Sequence, residues 1–123
     1  MSVGEPFLRG LVRNHRWLEP VLSEHIADND EVLDHVLMGE ITWAVVKAHL
    51  EGSEASREDV AAVLHDLDVE FGPPNPNDGK EPSVRGVIAL SFLFNLPDPG
   101  QPGYEIRKSL GPNLAAVRPE DLW

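Results

Sequence analysis

The chain has 123 residues, 41% of them apolar, and a net charge of −11 from 10 Lys and Arg against 21 Asp and Glu; this is enough for one domain with a real core and too little for two. Acids spread along the whole chain repel phosphate backbones and anionic membranes, which disfavours direct nucleic-acid or membrane binding; they serve solubility and also attract a basic partner. With no cysteine, thiolate nucleophiles, disulfides and Cys-ligated zinc are excluded.

Along the chain, a first helical pattern covers Glu5 to His15, where Phe7, Leu8, Leu11 and Val12 recur at helical spacing. Pro20 suits only the first turn of a helix, so the pattern breaks near residues 16–18 and restarts at Glu19. The stretch Asp28-Asn29-Asp30 reads as a turn. A further helix is expected from Gly39 to Leu50, with one stripe of Ile41, Ala44, Val45 and Ala48 and a second of Trp43, Val46 and Leu50.

Ser56-Arg57-Glu58-Asp59 has the loose form of a capping box, followed by Val60, Val63, Leu64 and Leu67 on one face. Residues 72–82 carry four prolines and two glycines, the composition of an exposed loop. The segment 83–96 is apolar nearly all round, as the central helix of a bundle would be; a buried strand is the competing assignment. A last helix is expected over Tyr104 to Leu110, with Tyr104, Ile106 and Leu110 packing while Arg107 and Lys108 face water or form a small basic edge. Gly111-Pro112 then stops it and starts a short one over 113–117. Trp123 is left to fold back or lie exposed. The expected fold is all-α, a single domain of five or six helices around 83–96.

The segment EHIADNDEVLDHVLMGEI, residues 24–41, concentrates acids and two histidines between apolar stretches. Glu24, His25 and Asp28 share one side of a helix, and His35 approaches if the chain folds back. A metal-dependent hydrolase using His25, Asp28 and His35 is therefore one alternative. The segment lacks HExxH and paired Glu-xx-His motifs, and no EF-hand register places oxygen ligands and glycine correctly. No nucleophile elbow, GxGxxG or P-loop occurs elsewhere, so neither a catalytic residue nor a cofactor is assigned. His15, His49 and His65 lie late in helical segments, where they suit terminal carbonyls.

A binding surface fits the same residues more simply. Asp28, Asp30, Glu31 and Asp34 can project from a turn toward Arg or Lys of a partner, and Trp43 is the candidate apolar anchor. Self-association through the Trp43/Val46/Leu50 stripe is a further alternative. The N-terminal MSVGEPFLRG has no basic segment leading an apolar run, and no apolar run reaches bilayer length, so a cytoplasmic protein is expected.

EHIADNDEVLDHVLMGEIT, IALSFLFNLP and IRKSLGPNL together resemble an uncharacterised bacterial family of small acidic proteins that look like toxin-immunity proteins. The resemblance covers roughly residues 18–114. It implies a stoichiometric inhibitor that covers the active site, or blocks an essential movement, of a basic toxin such as a nuclease domain. It assigns no individual residue.

Overall fold

The structure is a computed structural model that describes residues 2–73 and 82–117. Helix α1, Glu5–Asn14, carries Pro6 in its first turn, where the missing N–H costs nothing. The N–H of Gly4, ahead of it, donates to Asp34 Oδ2 at 3.0 Å. A Cβ on Gly4 would lie 3.0 Å from Asp34 Cβ, so the two segments approach at glycine distance. A 3-10 turn over Arg16–Leu18 then gives way to α2, Glu19–Asn29, at the expected restart with Pro20 in its first turn.

Helix α2 continues through Asp28 and Asn29, two residues further than the expected break. Asn29 Nδ2 donates back to the His25 carbonyl at 2.9 Å, and only Asp30 leaves the helix, at φ 61. Asp tolerates this left-handed conformation better than most residues. Helix α3 spans Asp34–Glu51 and so starts five residues before the expected Gly39. Asp34 Oδ1 accepts the His35 N–H at 2.8 Å, satisfying a donor of the first turn. Gly39 is an interior position, and a Cβ there would meet Asn95 only at ordinary contact distance.

Helix α4, Glu54–Phe71, is capped by Ser53 and not by Ser56. The Ser53 hydroxyl accepts the Ser56 N–H at 3.1 Å and donates to Ser56 Oγ at 2.9 Å. Helix α5, Val84–Ser91, is capped by Ser83 and stops well short of residue 96. The reason lies at the Ser91 carbonyl, which accepts Asn95 Nδ2 at 2.9 Å and the Thr42 hydroxyl at 3.0 Å. With that carbonyl taken by side chains, the Asn95 N–H bonds Phe92 O instead and the chain tightens to a 3-10 turn, Leu93–Asn95.

Tyr104–Ser109 is likewise 3-10 rather than α, entered through Gly103 at φ 91. Ile106 is buried, while Arg107 donates to the carbonyls of Pro97 at 2.9 Å and Leu96 at 3.0 Å. Helix α6, Pro112–Ala115, closes the described chain and packs on α4. The buried Asp68 carboxylate accepts the Leu114 N–H at 2.9 Å, and Asn113 Nδ2 donates to the Asp68 carbonyl at 3.1 Å.

The described residues form an all-α bundle of six α-helices and three 3-10 turns, with no strand. Its hub is α3, which touches α1, α2, α4 and α5. Leu37, Met38, Ile41 and Val45 from α3 meet Leu8, Leu67, Ile88 and Phe92 in one core. The apolar segment 83–96 is thus a partner of the centre rather than the centre itself. Most of the proline-rich loop, residues 74–81, and Trp123 lie outside the described residues. Among the described residues no helix is long and apolar enough to cross a membrane.

Candidate functional site

The solvent-facing line of α3 is unusually apolar. Trp43 is 63% exposed, and Val36 and Leu50 are about as open, at 49% and 51%. Val46, expected beside Trp43 and Leu50 on one stripe, is instead buried in the core at 2%. The helical phase explains the correction: Val36, Trp43 and Leu50 recur every seven residues, nearly two full turns, whereas Val46 is turned off that line to where Gly103 packs, a Cβ on Gly103 lying 3.0 Å from Val46 Cγ1.

Beside Trp43, a shallow groove of ≈ 440 Å³ runs between α2 and α3. Val21, Gly39 and Ala44 line it together with Val36 and Trp43, while Glu24, Glu40 and Lys47 supply its charges. Glu40 was not among the residues singled out from sequence. Its position four residues after Val36 and three before Trp43 places it on their face, and that spacing was the available signal.

One buried side chain sets the shape of this region. His25, on α2, is fully buried; its Nε2 accepts the Leu33 N–H at 3.0 Å, and its Nδ1 lies 2.5 Å from Glu40 Oε1. Since Nε2 serves as an acceptor, Nδ1 carries the hydrogen and donates to the carboxylate. The imidazole therefore ties the α2–α3 turn to a groove carboxylate. Neither nitrogen keeps a free lone pair for a metal.

The acids of the turn separate into two groups. Asp28, Asp30 and Glu31 are exposed; the Asp30 N–H closes α2 on the Ile26 carbonyl at 2.8 Å, and the three carboxylates face solvent. Asp34 is half-buried, with Oδ2 on the Gly4 N–H and Oδ1 on the His35 N–H, so its charge serves the starts of α1 and α3. Trp43 stands nine residues along α3 from Asp34, about 13 Å by helical rise. The carboxylates that line the groove beside it are Glu24 and Glu40, and none of Asp28, Asp30, Glu31 and Asp34 lines it.

Two of the other histidines also have partners distant in sequence. His35 Nδ1 lies 2.7 Å from Ser91 Oγ, and His15 Nε2 lies 2.6 Å from Asp66 Oδ2. The His15 side chain thereby links the end of α1 to α4, while its backbone N–H bonds the Leu11 and Val12 carbonyls of the last turn. Among the described residues, no three His, Asp or Glu side chains are placed to hold a metal ion. A second cleft, ≈ 490 Å³, opens between α3, α4 and the 104–109 turn, with His49, Arg57 and Glu105 on a base of Val60 and Leu64. It carries one guanidinium and one carboxylate, where the groove at Trp43 carries two carboxylates and one lysine.

Neither a protein-family model, a curated protein nor a solved structure matches this chain.

Proposed function

We propose that the chain is a non-catalytic protein-binding module of the bacterial cytoplasm, and specifically an immunity-like protein that neutralises a basic toxin domain by stoichiometric cover. The observation that carries this reading is Trp43, a large aromatic left mostly in water on the outer line of α3 beside a groove edged by Glu24 and Glu40. Aromatic anchors that desolvate on binding supply much of an interface's energy. A net charge of −11 favours basic partners at long range and speeds their encounter.

In this reading Asp28, Asp30 and Glu31 steer and pair with Arg or Lys of the partner, and Asp34 adds charge while holding the turn. Trp43 is then buried against the partner as the groove is filled. The experiment is affinity capture from the native host with three baits: wild type, Trp43→Ala, and a triple Asp28→Asn, Asp30→Asn, Glu31→Gln variant. The expected result is one basic protein held at stoichiometry by wild type and released by both variants, whose expression alone arrests growth until this chain is supplied. A captured protein that is acidic, or whose expression leaves growth unaffected, contradicts the toxin assignment.

A further inference from the structure

The outward line of α3 carries Val36, Glu40, Trp43, Lys47 and Leu50, every one exposed. The outward line of α4 shows what such a surface ordinarily looks like: Arg57, Glu58, His65 and Glu70 with small alanines and one isolated Val69. The α3 line differs in composition and also in order. Read in either direction it runs apolar, charged, Trp, charged, apolar, with Val36 and Leu50 each seven residues from Trp43 and charges of opposite sign between.

We propose that this line is a self-complementary interface, covered by a second copy of the chain in an antiparallel two-fold pairing centred on Trp43. A two-fold contact requires that if one residue meets another, the reverse contact also forms. Rotation about an axis at Trp43 brings Val36 opposite Leu50 of the second copy and Glu40 opposite Lys47 of the second copy, twice each. The two indoles meet near the axis, where each has the ≈ 440 Å³ groove beside it to enter. A parallel pairing sets Glu40 against Glu40 and Lys47 against Lys47, so the charges select the antiparallel arrangement.

The stripe extends over about 20 Å of helix, which places the contact in the small, weak class of interfaces. Two copies of charge −11 also repel, although screening confines that repulsion to about 8 Å at physiological salt. The dimer is therefore weak and is populated only at high protein concentration. This pairing does not rest on the toxin-partner reading. Where both hold, the partner displaces the second copy from Trp43.

Sedimentation equilibrium of the purified full chain over a wide concentration range tests the pairing. The variants are Trp43→Ala, Lys47→Glu, Glu40→Lys and, as a control away from the stripe, Val69→Ala, each checked for fold by circular dichroism. Wild type and Val69→Ala should show the same reversible monomer–dimer equilibrium, and Trp43→Ala should weaken it about tenfold or more. Lys47→Glu alone and Glu40→Lys alone should both be weakened by like-charge contact. An equimolar mixture of the two should form a heterodimer, since each interface then pairs opposite charges. Overturning results are a wild type that stays monomeric at all concentrations, a dimer as strong in Trp43→Ala as in wild type, or no gain on mixing the folded charge variants. Should Glu40→Lys lose its fold with its His25 contact, Lys47→Glu decides alone, and an unweakened dimer overturns the charge pairing.

Discussion

Replacing His25 with Phe keeps a ring of similar shape in a fully buried position and removes both nitrogens. Two bonds are lost. The Leu33 N–H, 3.0 Å from Nε2, is left without its acceptor in a partly buried site, a cost of about 1–2 kcal/mol. The Nδ1 donor to Glu40 also disappears, but that carboxylate is 43% exposed and water replaces the bond, so the loss is about 0.5–1 kcal/mol. The apolar ring recovers part of this by its own burial, leaving a net cost of about 2 kcal/mol. For a domain of this length that lowers the thermal midpoint by about 8 °C. Urea unfolding reads the free energy through a shift in midpoint at constant slope. Hydrogen exchange at the Leu33 amide reads the local consequence, which is faster exchange in His25→Phe than in wild type beyond the global change. Glu40→Gln, which still offers an oxygen to Nδ1–H, should cost about 0.5 kcal/mol or less. A His25→Phe protein within about 0.5 kcal/mol of wild type, with Leu33 exchange unchanged, refutes the assigned tautomer and its role.

On α3, Trp43→Ala should change stability by no more than about 0.5 kcal/mol, while Val46→Ala, one turn away and buried, should cost about 2 kcal/mol; parallel urea titrations compare them. Gly111→Ala places a Cβ 2.3 Å from Asp68 Cγ, and should destabilise by about 2 kcal/mol or more. Asp68→Ala orphans the Leu114 N–H for about 1–3 kcal/mol, and the double variant should cost clearly less than the two together because the clash is gone; a strictly additive cycle denies the contact. Arg107→Met keeps the stem and loses the bonds to Leu96 and Pro97 carbonyls, for about 1–2 kcal/mol by thermal melting.

The helices were legible where the pattern is carried by local chemistry. Pro20 marked the start of α2, and Val60, Val63, Leu64 and Leu67 marked the inner face of α4. Boundaries failed where a distant side chain decides them. Asp34 at the start of α3 is held by the Gly4 N–H from the far end of the sequence, and Thr42 holds the Ser91 carbonyl so that α5 ends early. Neither contact has a signature in linear sequence. Residues 104–109 wind as 3-10 because Arg107 and Gly103 anchor the turn to the 96–97 carbonyls and α3, again a tertiary effect.

The site was legible to a similar degree. Exposure of Trp43 and of Asp28, Asp30 and Glu31 follows from their places on α3 and at the end of α2. The helical phase of Val46 was misjudged because α3 is apolar on several sides, which blurs the buried face. His25 looked like a candidate ligand from its acidic neighbours, and only the fold shows both nitrogens occupied by Leu33 and Glu40. Asp34 likewise looks like its acidic neighbours in sequence but is held by two backbone donors.

In the proposed function, the Trp43 face of α2 and α3 is where another protein docks. Oxidative side-chain footprinting of the chain alone and with its captured partner, at concentrations well below the self-pairing range, measures this directly. Trp43, Val36 and Val21 should lose reactivity in the complex while Val69 and Leu90 keep theirs. Unchanged reactivity at Trp43, with protection centred on Val69 or on the cleft of His49 and Arg57, contradicts it.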